Sequence, residues 1–239
     1  MPIKAVVWDV DDTLFDYATA DTVGMRAHLT TEGLLDRFGT VEEALALWRA
    51  TTREHWARFE SGATDWEGQR RDRVRAFVGQ ALTDTAADAW FTRYLGHYEA
   101  AWSLFPDTVP ALDTLAAGYR HAVLSNSSLH NQDRKLRVLG VRDRFEAVVC
   151  AAELGVAKPD AAAFHAVCQE LALEPHEVAY VGDQPDIDAR GAVEAGLRGI
   201  WLDRAGIGGR PELVRITGLD QLAPLLGRDT RFGAPETFR

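Results

Sequence analysis

Ile3-Lys4-Ala5-Val6-Val7-Trp8-Asp9-Val10-Asp11-Asp12-Thr13 begins as an apolar, partly β-branched run and stops abruptly in carboxylates. A run without polar alternation reads as a short strand buried on both faces of a parallel sheet. Residues i and i+2 of an extended chain project to the same side, so Asp9 and Asp11 fall together where the strand ends. At about 4 Å two carboxylates repel by roughly 4 kcal/mol in an effective dielectric of about 20. A bound cation or a shared proton is the usual relief. On spacing alone, the acidic residues could equally cap a turn.

The same pattern returns downstream. Val109–Ala117 reads as a helix ended by Gly118, His121–Leu124 as a strand running into Ser125-Asn126, and Arg134–Leu139 as a helix capped by Gly140. Phe145–Cys150 is the next strand and Asp160–Leu171 a helix with Asp160 as its N-cap. Val178–Val181 is a strand ending at Gly182-Asp183, Ile187–Ala195 a helix, and Leu197–Leu202 the last clear strand. Strands alternating with helices imply βαβ units. The expected fold class is therefore α/β, a doubly wound (Rossmann-like) parallel sheet.

Between the first and second strands the rhythm is helical throughout. Leu45, Trp48, Thr52, Trp56 and Phe59 recur at three- to four-residue spacing, and Val74, Phe77, Val78, Trp90, Tyr94 and Tyr98 continue it. The expected organisation is a core of residues 1–17 and 103–226, an all-helical insert at 18–102 and a loose, breaker-rich tail at 227–239.

Composition narrows the function. Of 239 residues, 26 are basic and 36 acidic, giving a net charge of −10. Such a chain is a poor general binder of nucleic acid, whose phosphates need a basic surface. No apolar run reaches the roughly 20 residues of a membrane span. The first residues lack a signal-peptide layout. Cys150 and Cys168 sit in apolar surroundings, so a reduced, cytoplasmic setting is expected. Only Lys4, Lys135 and Lys158 are lysines among the 26 basic residues, which makes Lys158, in a loop before Pro159, notable.

In a doubly wound sheet, ligands bind beyond the carboxyl ends of the strands. There the order of elements collects Asp9, Asp11, Ser125, Asn126, Lys158 and Asp183. Carboxylates without His or Cys nearby describe a hard, oxygen-rich site suited to Mg2+ rather than zinc. Ser125-Asn126 can hold a phosphoryl oxygen or simply turn the chain. Lys158 can do the former as a compact point charge or be a solvated lysine. The acidic run after Asp183 also suits a helix N-terminus.

Taken in order, these stretches resemble the haloacid dehalogenase-like (HAD) hydrolase superfamily. Asp9-Val10-Asp11-Asp12-Thr13 is similar to its first motif, Leu124-Ser125-Asn126 to its second, Val156-Ala157-Lys158-Pro159-Asp160 to its third, and Gly182-Asp183 through Asp188 to its fourth. The helical insert resembles the cap of subfamily I, phosphatase branch. The resemblance implies that Asp9 attacks phosphorus, that Asp11 acts as acid and base, and that Ser125, Asn126 and Lys158 bind the phosphoryl group. It implies Mg2+ held by the Asp9 carboxylate, the Asp11 backbone carbonyl and Asp183, with Asp188 beside them. Family dehalogenases lack the second aspartate, so Asp11 favours a phosphatase. Asp12 departs from the family's commonest residue there, glycine. The implied partner is a small phosphorylated metabolite, such as a nucleotide or sugar phosphate, with no nucleic acid and no membrane. Phosphomutase activity, or phosphate binding without turnover, are the alternatives. Phe15, Asp16, Tyr17 and one arginine among Arg70, Arg71, Arg73 and Arg75 are further candidates for substrate contact, although a solvated helix face suits the arginine run better.

Overall fold

The computed structural model describes residues 2–227. The expected tail lies outside them, except Gly227. Contacts divide the chain into two units: residues up to Asp16 with those from Ser103 on, and Tyr17–Trp102 between.

The first unit is an α/β fold. Among the described residues its sheet has six strands: β1 (Ala5–Trp8), β2 (Arg120–Ser125), β3 (Ala147–Cys150), β4 (Val178–Gly182), β5 (Arg198–Leu202) and β6 (Val214–Ile216). All pair in parallel, in the order β3-β2-β1-β4-β5-β6. The apolar run in β1 is fully buried, as a central strand covered on both faces requires. Trp8 is in register with Val123 of β2 and Val181 of β4. The three carboxyl ends are thus level, at the point where the strand order reverses and a crevice opens.

The helices are α5 (Thr108–Leu115), α6 (Leu129–Val138), α7 (Ala151–Leu154), α8 (Ala161–Glu170), α9 (Gly191–Glu194) and α10 (Leu222–Gly227). α1–α4 belong to the insert. Ala163, Phe164 and Val167 of α8 bury against Ala5, Val7, Leu124 and Tyr180 of the sheet. Besides small shifts at element ends and the additional α7, four details differ from expectation. α6 begins at Leu129, not Arg134, because Ser128 caps it by accepting from the Asn131 N–H. Gly118 is not in the left-handed region, and α5 ends on ordinary turns. The stretch before α9 is a wider π-helical turn, Pro185–Arg190. β6 is a three-residue edge strand with two exposed positions, too short for alternation to betray it.

The second unit is all-helical: α1 (Tyr17–Thr31), α2 (Val41–Glu60), α3 (Trp66–Val78) and α4 (Asp84–Ala100). Thr40, Asp65 and Thr83 cap the last three. Met25, Leu29, Trp48, Phe77, Trp90 and Tyr94 form its core. Trp56 and Trp66 are exposed instead, packed edge to face with each other. No described helix is long and apolar enough to cross a membrane.

Candidate active site

Asp9 is the first residue beyond β1 and is buried. Its backbone N–H donates to Val181 O (2.9 Å), continuing the ladder and fixing the residue at the sheet edge. Lys158 approaches from the loop before α8. Its Nζ donates to Asp9 Oδ1 (2.7 Å), Asp188 Oδ1 (2.8 Å) and the Tyr180 hydroxyl (2.6 Å). An ammonium has three donors, and all three are spent here.

Asp188, fully buried, also accepts the Gln184 N–H through Oδ2 (3.0 Å). The Tyr180 hydroxyl is within hydrogen-bond distance of Leu124 O (3.0 Å) and of Asp188 Oδ1 (3.2 Å). Gly182 makes this packing possible: an added Cβ would stand 2.3 Å from Asp188 Cγ.

Asp183 completes the group. Asp9, Asp183 and Asp188 each offer an oxygen, all within 4.8 Å of one another. Asp183 Oδ1 is buried with no hydrogen-bond partner. Three carboxylates thus face one ammonium, an imbalance that shows in their titration. Burial pushes Asp9 up to about 7; Lys158 opposes this, while Asp188 and Asp11 add to it. Burial pushes Asp183 up to about 8, with Asp9, Asp188 and Asp12 adding to it. Burial disfavours charge on Lys158, but Asp9 and Asp188 outweigh this and lift it above the ordinary lysine value. Hard oxygens, an orphaned carboxylate oxygen and missing positive charge suit a divalent cation of the Mg2+ type.

Ser125, buried at the end of β2, accepts Gln132 Nε2 at Oγ (3.0 Å). The side-chain amide of Asn126 is spent on the Lys158 backbone. Nδ2 donates to Lys158 O (2.9 Å) and Oδ1 accepts Lys158 N–H (2.8 Å), so Asn126 holds the loop that carries the lysine. The Asp11 side chain is bonded to residues of α6. It pairs with Lys135 Nζ through Oδ1 and accepts Gln132 Nε2 through Oδ2 (2.7 Å). Asp12 has a φ of 58°, a left-handed conformation that glycine adopts freely and aspartate tolerates.

Gln132, Lys135 and Tyr180 thus belong to the site without having been read from the sequence. Phe15 is buried with Lys135 Nζ over its ring (4.4 Å), Asp16 donates its N–H to Ser103 O, and Tyr17 opens α1. In the helical unit, Arg70 pairs with Glu67 and Asp88, Arg71 with Asp84 and Asp88, and Arg75 with Asp72 and Asp84. Arg73 alone of the four meets no carboxylate among the described residues, and lies over the rings of Trp48 and Phe91.

Residues 3–196 match the family profile of the haloacid dehalogenase-like hydrolases. Phosphoserine phosphatase of Thermus thermophilus is 29% identical over 235 residues, covering 88% of this chain and 91% of that one. (S)-2-haloacid dehalogenase 1 of a Pseudomonas species is 28% identical over 237 residues, covering 96% and 99%. Among solved structures, a magnesium-bound HAD-hydrolase from Bacillus subtilis shares the fold with a TM-score of 0.73 at 20% identity, over 95% of this chain and 99% of that one. The profile spans well over half of the sequence, and the chain belongs to the haloacid dehalogenase-like hydrolases, a family of enzymes.

Proposed function

We propose that this hydrolase is a Mg2+-dependent phosphatase acting on the phosphomonoester of a small metabolite, through an aspartyl-phosphate on Asp9. The observation that carries the reading is the excess of carboxylate over ammonium at Asp9, Asp183 and Asp188, with one Asp183 oxygen left without a partner. Displacing halide from carbon needs no such group, because the leaving halide needs neither a proton nor a metal. An ester oxygen needs the proton, and Asp11 stands two residues from the nucleophile to give it.

The Asp9 and Asp183 carboxylates, with the Asp11 carbonyl, would hold Mg2+, and Asp188 stands beside them. Bound there, the ion supplies charge to the phosphoryl oxygens and relieves repulsion among the carboxylates. Asp9 attacks phosphorus while the P–O ester bond breaks, and Asp11 protonates the departing oxygen. Asp11 then takes a proton from water, whose oxygen attacks the phosphorus and frees Asp9 with inorganic phosphate. Lys158 holds Asp9 and Asp188 and offsets charge in the loose transition state. The Ser125 hydroxyl donates to a phosphoryl oxygen.

The test compares wild type and Asp9→Asn on 4-nitrophenyl phosphate, with Mg2+ and with chelator. Chloride release from 2-chloropropionate is followed in parallel. Phosphate release that needs both Mg2+ and Asp9 is the expected result. Chloride release that needs Asp9 but not Mg2+, with no phosphatase activity, overturns the proposal.

A further inference from the structure

We infer that Gln132 and Lys135 of α6 are positioning residues: together they fix the Asp11 carboxylate for proton transfer, and Gln132 also sets the Ser125 hydroxyl as a donor. The inference rests on the phosphatase reading. Gln132 and Lys135 are three residues apart on α6 and so share a face. Gln132 is fully buried and Lys135 nearly so. Burying polar groups costs free energy unless they are bonded, and here the bonds go to the site. Lys135 takes Asp11 Oδ1, and Gln132 takes Asp11 Oδ2 (2.7 Å) and Ser125 Oγ (3.0 Å).

Each carboxylate oxygen accepts at two positions. Lys135 and Gln132 fill one on each oxygen, which leaves one on each to carry the proton in transit. With Oγ already accepting from Gln132, the Ser125 O–H is free to point elsewhere as a donor. Packing alone does not account for Gln132. Its Oε1 is buried without a partner, a cost that an apolar side chain of similar size would avoid. Nor is an ion pair of this kind a dependable source of stability. The arrangement instead gives the proton donor a defined direction, the quantity on which proton transfer to a leaving oxygen depends.

The experiment uses the full chain with Mg2+ and a series of aryl phosphates, from the good leaving group 4-nitrophenol to the poor one phenol. Gln132→Leu, Lys135→Met and Lys135→Arg are compared with wild type, after thermal melts confirm that each folds. A poor leaving group needs its proton most, so a misdirected acid costs it most. In Gln132→Leu and Lys135→Met, kcat on phenyl phosphate should fall by about tenfold or more and kcat on 4-nitrophenyl phosphate by about threefold or less. KM should change little, and Lys135→Arg should regain most of the loss. Equal losses on both esters, or none on either, overturn the positioning role while leaving the phosphatase reading intact. Failure of that reading shows separately, as a wild type inactive on every ester, and overturns both.

Discussion

Replacing Lys158 by methionine keeps the apolar stem and removes the ammonium that faces Asp9 and Asp188. At 2.7 and 2.8 Å each contact is worth about 6 kcal/mol of Coulomb attraction in an effective dielectric of about 20. Desolvation of the charges offsets most of that, so the expected net loss of stability is about 3–5 kcal/mol, the range for a buried pair stripped of one partner. The loss must depend on pH. Asp9 titrates near 7 with Lys158 present, and higher without it. A carboxyl group raised above its unfolded value adds stability at low pH that is lost as pH climbs through the folded pKa. The variant therefore keeps the Asp9 proton to higher pH than wild type does, and its stability goes on falling with pH after the wild-type curve has levelled. Each pH unit separating the two titrations is worth about 1.4 kcal/mol, so between about pH 5.5 and 8.5 the two stability curves should diverge by that amount for every unit of separation. Urea unfolding of both proteins in chelator, at steps across that range, provides the measurement. A loss under about 1 kcal/mol at every pH, or curves for the two proteins that run parallel throughout, would refute this account of the site.

Two further outcomes follow from single contacts. In Gly182→Ala the new methyl would meet Asp188 Cγ at 2.3 Å, so that carboxylate must leave Lys158 and the Gln184 N–H. Stability should drop by about 1–3 kcal/mol and Mg2+ affinity, read by thermal shift against added ion, by about tenfold or more; an unchanged Mg2+ response would sink the prediction. Burial pushes His28 and His121 down to about 4, and His121 Nδ1 accepts the Trp8 indole N–H (3.0 Å). The folded imidazoles stay neutral while the unfolded chain takes up protons below about 6.5, so each withdraws stability as pH falls from about 6.5 toward 4. His121→Gln should unfold with a pH slope smaller by about one proton in that window, and an identical slope would mean that the imidazole already carries its charge in the fold.

The sheet was legible because β1, β2 and β4 are apolar runs that stop dead at polar residues, and parallel topology sends all such stops to one edge. That is how Asp9, Ser125 and Asp183, far apart in the chain, could be placed together in advance. Gln132 and Lys135 were missed because the apolar rhythm of α6 becomes clear only near Leu136. The Ser128 cap at the true start precedes that rhythm and carries no apolar signal of its own. Tyr180 was invisible for another reason: in the middle of a buried strand its ring reads as core, and only the packed sheet shows the hydroxyl reaching Lys158. The bond from the Asn126 amide to the Lys158 backbone was hidden for a like reason: sequence gives the place of Asn126 at the strand end, not the direction of its side chain.

The joint at which the helical unit enters and leaves the sheet has its own consequence. Phe15 bridges Leu104, Asp16 N–H donates to Ser103 O (3.0 Å) and Phe105 N–H to Leu14 O (3.0 Å). The outgoing and returning strands of chain are thus laced together inside the α/β unit itself. For whatever is spliced between them, the ends are already closed, and closure entropy grows only slowly with loop length. The joint works as a socket. A lineage, or an engineer, can exchange the whole insert for another of different size and chemistry while the strand ends that carry Asp9 and Asp11 keep their register.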